Sequence, residues 1–122
     1  MTYHLEPTRT TPHVRVDSEI GEVTISGRSS PENSISFYAP ILEAIDKINH
    51  PQKLVLNFAF EYFNTSSSKC LYDLMRKARG LTEQGREVII NWFYDPDDDD
   101  MLEAGEDYED LLQLSFNYHH LN

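Results

Sequence analysis

One cysteine, Cys70, is all this chain has, so no disulfide can form within it. Glycine is sparse, five in 122 residues, and none belongs to a phosphate-cradling Gly-rich loop. The Gly-x-Ser-x-Gly elbow of α/β-hydrolases and the His-Glu-x-x-His zinc pair are also missing. No apolar run approaches the roughly 18 residues of a membrane span, so membrane insertion is not expected. The stretch from Met1 to Pro7 lacks the basic start and apolar centre of a signal peptide, and a cytoplasmic protein is the expectation. No cofactor is called for by any of these patterns.

Basic residues are scarce as well: ten Lys and Arg face 21 Asp and Glu, for a net charge of −11. The imbalance is local. Ten carboxylates fall between Asp95 and Asp110 without a Lys or Arg among them, which leaves the rest of the chain close to neutral. Phosphate backbones are bound by Lys and Arg, so nucleic acid is not an expected partner. An acidic lobe on a balanced body suits contact with protein.

A chain of 122 residues has room for one core, and residues 1–122 read as a single domain. Val14 and Val16, then Val23 and Ile25, alternate with polar neighbours at the period of a half-buried strand. Asp17 to Glu22 supplies a turn between them, so an antiparallel hairpin is expected. The segment before it, Tyr3 to Arg9, reads as an edge strand or an ordered tail.

Ser29-Ser30-Pro31-Glu32-Asn33 carries a helix-start pattern of hydroxyl cap, early proline and early acid. The helix is expected to reach about Asn49, where Asn49-His50-Pro51 stops it, with Ile35, Tyr38, Ile41, Leu42, Ile45 and Ile48 on its apolar face. Pro40 lies inside the pattern and removes one N–H, so a kink or broken turn near Ser36 is expected.

Lys53 to Phe60 is apolar enough for an inner strand, as is Glu87 to Tyr94; Leu54, Leu56, Ile89 and Trp92 are the expected buried residues of the two. Between them Leu71, Leu74, Met75, Ala78 and Leu81 trace one stripe of a helix from about Ser66 to Gln84, closed by Gly85. Asp95 to Asp100 loads the start of a last helix with acid, on which Met101, Leu102, Tyr108, Leu111, Leu112 and Leu114 can face the core. Ser115 to His119 can add a final strand. A hairpin followed by alternating strands and helices defines an α/β sandwich with a mixed sheet and right-handed parallel crossovers.

The chain is organised around Asn64-Thr65-Ser66-Ser67-Ser68-Lys69, where strand gives way to helix. First-turn N–H groups there have no intrahelical partner and the helix dipole is positive, so the position suits a cap and equally suits an added phosphate. One hydroxyl suffices for a cap; four in a row, just past a strand's carboxyl end, leave others over. Cys70 follows and reads as a partly buried, inert thiol, with no general base beside it. A Ser-His hydrolase on this cluster would need a histidine brought from far away in the chain.

Two patterns bear on metal binding. Asp95, Asp97, Asp99 and Glu106 fit the first, third, fifth and twelfth places of a calcium loop, but Asp100 stands where glycine is wanted and a strand precedes. His119-His120 would point to opposite faces of a strand. His4, His13 and His50 are isolated in sequence. No metal site is expected from these patterns, and an acidic protein-interaction module, calcium-responsive or constitutive and not controlled by phosphorylation, stands as the alternative function.

Three motifs in order, Pro31-Glu32-Asn33-Ser34, Tyr62-Phe63-Asn64-Thr65-Ser66-Ser67 and Asn91-Trp92-Phe93-Tyr94-Asp95, resemble those of the SiaC-like regulatory phosphoproteins. The resemblance runs over nearly the whole chain. It implies a fold like that of the STAS anti-sigma factor antagonists and no catalytic activity. It also implies a switch phosphorylated by a protein kinase, restored by a PP2C-like phosphatase and able to activate a diguanylate cyclase when unmodified. The family's phosphothreonine falls on Thr65, with Asn64, Ser66, Ser67 and Lys69 around it. The chain departs from the family pattern at Ser68-Lys69-Cys70 and in the acid run from Asp97 to Asp100.

Overall fold

In the computed structural model, which describes residues 2–48 and 53–121, a six-stranded sheet carries three helices. In chain order the elements are β1 (Thr2–Leu5), β2 (His13–Asp17), β3 (Glu22–Ser29), α1 (Ser34–Asp46), β4 (Lys53–Phe63), α2 (Thr65–Thr82), β5 (Glu87–Tyr94), α3 (Asp99–Leu112) and β6 (Phe116–His120). The strands lie side by side in sequence order. β1, β2 and β3 pair antiparallel; β3 to β6 pair parallel, each step crossing over through a helix. Tyr3–Arg9 thus resolves into a short edge strand followed by a loop.

Crossovers of one hand between strands laid down in one direction put all three helices on the same face. Burial follows that rule. Val14, Val16, Val23, Ile25, Leu54, Leu56, Phe58, Phe60, Ile90, Trp92 and Phe116 point under the helices and are at most 6% exposed. They meet Tyr38, Ile41 and Ile45 of α1, Leu71, Leu74 and Met75 of α2, and Met101, Tyr108 and Leu112 of α3 in one core.

The other face of the sheet is uncovered and half-exposed, and a row of polar side chains crosses it. Asn57 donates to Thr24 Oγ1 (3.3 Å) and Asn91 donates to Asn57 Oδ1 (2.8 Å). His119 Nε2 lies 3.1 Å from Asn91 Oδ1, which can only accept, so the ring carries its proton on Nε2.

The structure departs from the expected pattern at several positions. Ile90, not Ile89, is the buried isoleucine of β5; Ile89 shares the uncovered face with Val55. Both residues are β-branched, so a strand apolar on both faces does not reveal its phase. Ile35 (77% exposed) and Leu111 (65% exposed) lie outside the core stripes assigned to them. α1 is capped by Asn33, whose side chain accepts from Ser36 N (3.0 Å), because Ser29 is still paired in β3 and Ser30 and Pro31 form the link. Pro40 therefore sits well inside a continuous helix, on its exposed side, and no break occurs near Ser36. The expected stop at Asn49-His50-Pro51 lies outside the described residues. α2 starts at Thr65, one residue earlier than expected, and ends by Thr82.

Candidate functional site

Each helix starts at the carboxyl end of the strand before it, so the caps of α1, α2 and α3 (Asn33, Asn64 and Asp98) line one rim of the sheet. Asn64 ends β4 because its backbone is extended while its side-chain oxygen accepts from Ser67 N at 2.8 Å, the geometry of an N-cap. Its own N–H reaches back to Ser29 O at 2.9 Å, fastening the turn to the end of β3.

The four hydroxyls separate sharply. Ser67 is 0% exposed; its Oγ donates to Ser29 O (3.1 Å) and accepts from Ser29 Oγ (2.8 Å). With the Ser29 proton so committed, Tyr38 OH donates to Ser29 Oγ at 2.6 Å. Tyr38 is fully buried, and that desolvation pushes its phenol up to about 12, so it keeps its proton and remains a donor. Ser68 Oγ lies 2.9 Å from Tyr108 OH, which also reaches Ser68 O at 2.8 Å.

Ser66 is exposed, yet its Oγ is 2.7 Å from Ser34 Oγ and 3.3 Å from Asn64 Oδ1. Ser34, the first residue of α1, also lies 3.4 Å from Ser67 Oγ. The helix starts of α1 and α2 are thereby joined by hydroxyls, and Pro31-Glu32-Asn33 and Asn64-Thr65-Ser66-Ser67 come together in space. Pro31 is buried at this junction, while Glu32 and Asn33 are exposed.

Thr65 differs from its neighbours. It is exposed at the first position of α2, and among the described residues no hydrogen bond engages its hydroxyl. The first turn of α2 carries no acid, so nothing there competes with an incoming anion for the positive end of the dipole. Lys69 does not turn back toward it: Nζ reaches forward to Asp73 at 3.7 Å, an exposed pair one turn along. Cys70 is buried and its thiol is pushed up, mainly by desolvation, as an unreactive packing residue.

Sequence reasoning missed Arg28. It follows a shift in the β3–β4 register at Gly27, which is held at φ 101° where a side chain would be strained, and it is the next-to-last residue of β3. The guanidinium stacks 4.9 Å over the Tyr62 ring and lies 3.9 Å from Glu61.

The acidic segment is not a calcium loop. Asp95 is spent on a turn, accepting from Asp97 N (2.8 Å), and Asp98 caps α3. Asp99 and Glu106 lie two turns apart along that helix. No group of three or more His, Cys, Asp or Glu side chains among the described residues is arranged to hold a metal. An open cleft of about 560 Å³ beside the rim is lined by Glu61, Asp95, Asp97 and Asp98, a lining that repels phosphates.

The chain is thus a two-layer α/β domain with its helix N-termini gathered on one rim and an unengaged hydroxyl at one of them. Residues 5–121 match the family described as SiaC family regulatory phosphoprotein, and the chain belongs to that family. An uncharacterized protein of Pseudomonas aeruginosa strain UCBPP-PA14 is 27% identical over 115 residues, covering 93% of this chain and 91% of that one.

Among solved structures, the complex of diguanylate cyclase SiaD with its activator SiaC from Pseudomonas aeruginosa matches with a TM-score of 0.91 at 25% identity, covering 98% of this chain and 99% of the matched one. SiaC of Pseudomonas aeruginosa matches at 0.86 and 26% identity over 98% and 96% of the two chains. Among the described residues no helix is long and apolar enough to cross a membrane.

Proposed function

We propose that this chain is a non-catalytic switch that binds and activates a diguanylate cyclase when unmodified and is released by phosphorylation of Thr65. The observation that carries the reading is the division of the four hydroxyls: Thr65 is exposed and unengaged, whereas Ser67 is sealed and Ser66 and Ser68 are tied to other elements. A protein kinase can reach the first; a PP2C-like phosphatase can reach the same place to reverse it. The likeness to SiaC in its cyclase complex supports the choice of partner.

Phosphorylation adds about −1.5 to −2 charges and three acceptor oxygens. At the start of α2 these meet unpaired N–H groups, so the fold accepts the phosphate without rearrangement. A partner seated on the rim cannot accept it as easily, because the dianion must then be desolvated. Control therefore comes from obstructing a surface.

The test is to treat wild type and Thr65→Ala with the cognate kinase, read intact mass, and measure cyclase binding by calorimetry. Wild type should gain one phosphate and lose the cyclase. Thr65→Ala should gain none and bind throughout. Full phosphorylation of Thr65→Ala would move the acceptor to Ser66, the other exposed hydroxyl of the four.

A further inference from the structure

The antiparallel pairing of β1 with β2 brings together two histidines that are nine residues apart. His4 lies opposite Arg15, and His13 sits two residues before Arg15, so the two rings form a diagonal pair on the uncovered side of the sheet. Their Nε2 atoms are 3.2 Å apart, with the ring planes at 70°. Glu6 stands beside them, its Oε1 3.6 Å from His4 Nε2. Arg15, the nearest cation by register, has its guanidinium drawn to Asp17 at 3.5 Å.

We propose that His4 and His13 form a surface chelate for a borderline divalent metal ion such as Zn²⁺, Ni²⁺ or Cu²⁺. Two imidazoles bound at about 2.0–2.1 Å hold their nitrogens about 3.4 Å apart in a tetrahedral shell and about 2.9 Å apart at a right angle. The observed separation falls between these values, so an ion can enter with small ring movements. Without metal, the contact is a shared proton: one ring is protonated on Nε2 and the other presents its lone pair. When the ion enters, the donor ring shifts its proton to Nδ1 through solvent and both Nε2 lone pairs face the metal, with no net proton lost. Imidazole nitrogens select this group of metals over magnesium and calcium. The two imidazoles are the protein's own ligands, and water or a partner's side chain supplies the rest.

The site has a structural consequence. β1 is four residues long and pairs with β2 alone, so it is the least anchored strand of the sheet. An ion bound across the two strands fastens it from the side-chain level. Because the site is on the opposite edge of the sheet from β6 and does not involve the helix starts, it operates independently of Thr65.

The test is calorimetric titration of the full chain with ZnCl2 and NiCl2 in a non-chelating buffer, alongside thermal melts. Wild type should bind one ion, and melt at a higher temperature with it. His4→Ala and His13→Gln should each weaken binding by about tenfold or more and abolish the thermal shift, while melting like wild type without metal. A His119→Ala/His120→Ala variant should bind as wild type does. Absence of binding to wild type, or undiminished binding to a His4→Ala/His13→Ala double variant, would overturn the proposal; in the second case the ion sits on the acidic segment or on His119 and His120.

Discussion

Ser34 Oγ and Ser66 Oγ, 32 positions apart in the chain, lie 2.7 Å from each other and join the first turns of α1 and α2. Behind this contact runs a buried line of hydroxyls through Ser67 and Ser29 to Tyr38. The members are unequal. Ser67→Ala would leave Ser29 Oγ–H without its acceptor in a site sealed from water, at a cost of about 1–3 kcal/mol. Ser34→Ala leaves Ser66 able to turn to solvent and should cost only about 0.5–1.5 kcal/mol. Urea melts of the two variants should keep that order.

The phase of the two central strands is tested by a pair of substitutions. Leu56 is 0% exposed, and Leu56→Ala should cost about 2–5 kcal/mol. Ile89, on the uncovered face, should tolerate alanine at less than half that cost. Equal losses in denaturant melts would contradict the one-sided burial of the sheet.

How much of this was legible beforehand depends on whether the signal was local. The strand–helix order, the hairpin and the acidic start of α3 follow from patterns a few residues long. The phase of β5 does not, because Val88, Ile89 and Ile90 are all apolar and only the helix layer decides which faces inward. The cap of α1 falls on Asn33 and not on the Ser29-Ser30 hydroxyls, since all three qualify by type and the pairing of Ser29 with Phe63 keeps the chain in β3 there. Asn64 to Ser67 could be recognised as a helix start, but which hydroxyl stays free could not: Ser34, Ser29 and Tyr108 are brought to it by tertiary packing. The His4–His13 contact was hidden for the same reason.

Gly105 is a close-packing position. A Cβ placed there would lie 2.7 Å from the Trp92 ring, which is buried and fixed by its Nε1–H bond to Met101 O at 2.9 Å. Neither group can retreat cheaply, so Gly105→Ala should destabilise by about 1–3 kcal/mol despite the gain in helix propensity. Near-ultraviolet dichroism should report a disturbed tryptophan.

Alkaline pH should expose the buried phenol. Tyr38 titrates at about 12 in the fold against an ordinary value of 10.0, so between these values the unfolded chain has lost a proton that the folded chain retains. Stability is therefore full below pH about 10 and falls as pH rises through about 12, by roughly 2–3 kcal/mol from this group. Tyr38→Phe, though less stable at neutral pH for want of the Ser29 bond, should lose less over the same interval. Parallel denaturant melts at pH about 9 and about 12 would reveal the difference; equal losses would remove Tyr38 as the cause.

The polar row Thr24–Asn57–Asn91–His119 bears on how this molecule behaves in a crowd. A sheet roofed on one side offers its bare side to any similar surface, and Val55, Ile89 and Phe93 lie on that side. Stacking a second sheet there would strip water from a line of amides and an imidazole whose remaining hydrogen-bonding capacity faces outward, at a cost of order 1–3 kcal/mol for each group left unsatisfied. By that cost the row opposes lasting contact between two bare sides. Replacing Asn57 and Asn91 by valine should preserve the melting temperature within a few degrees while making light scattering rise with concentration.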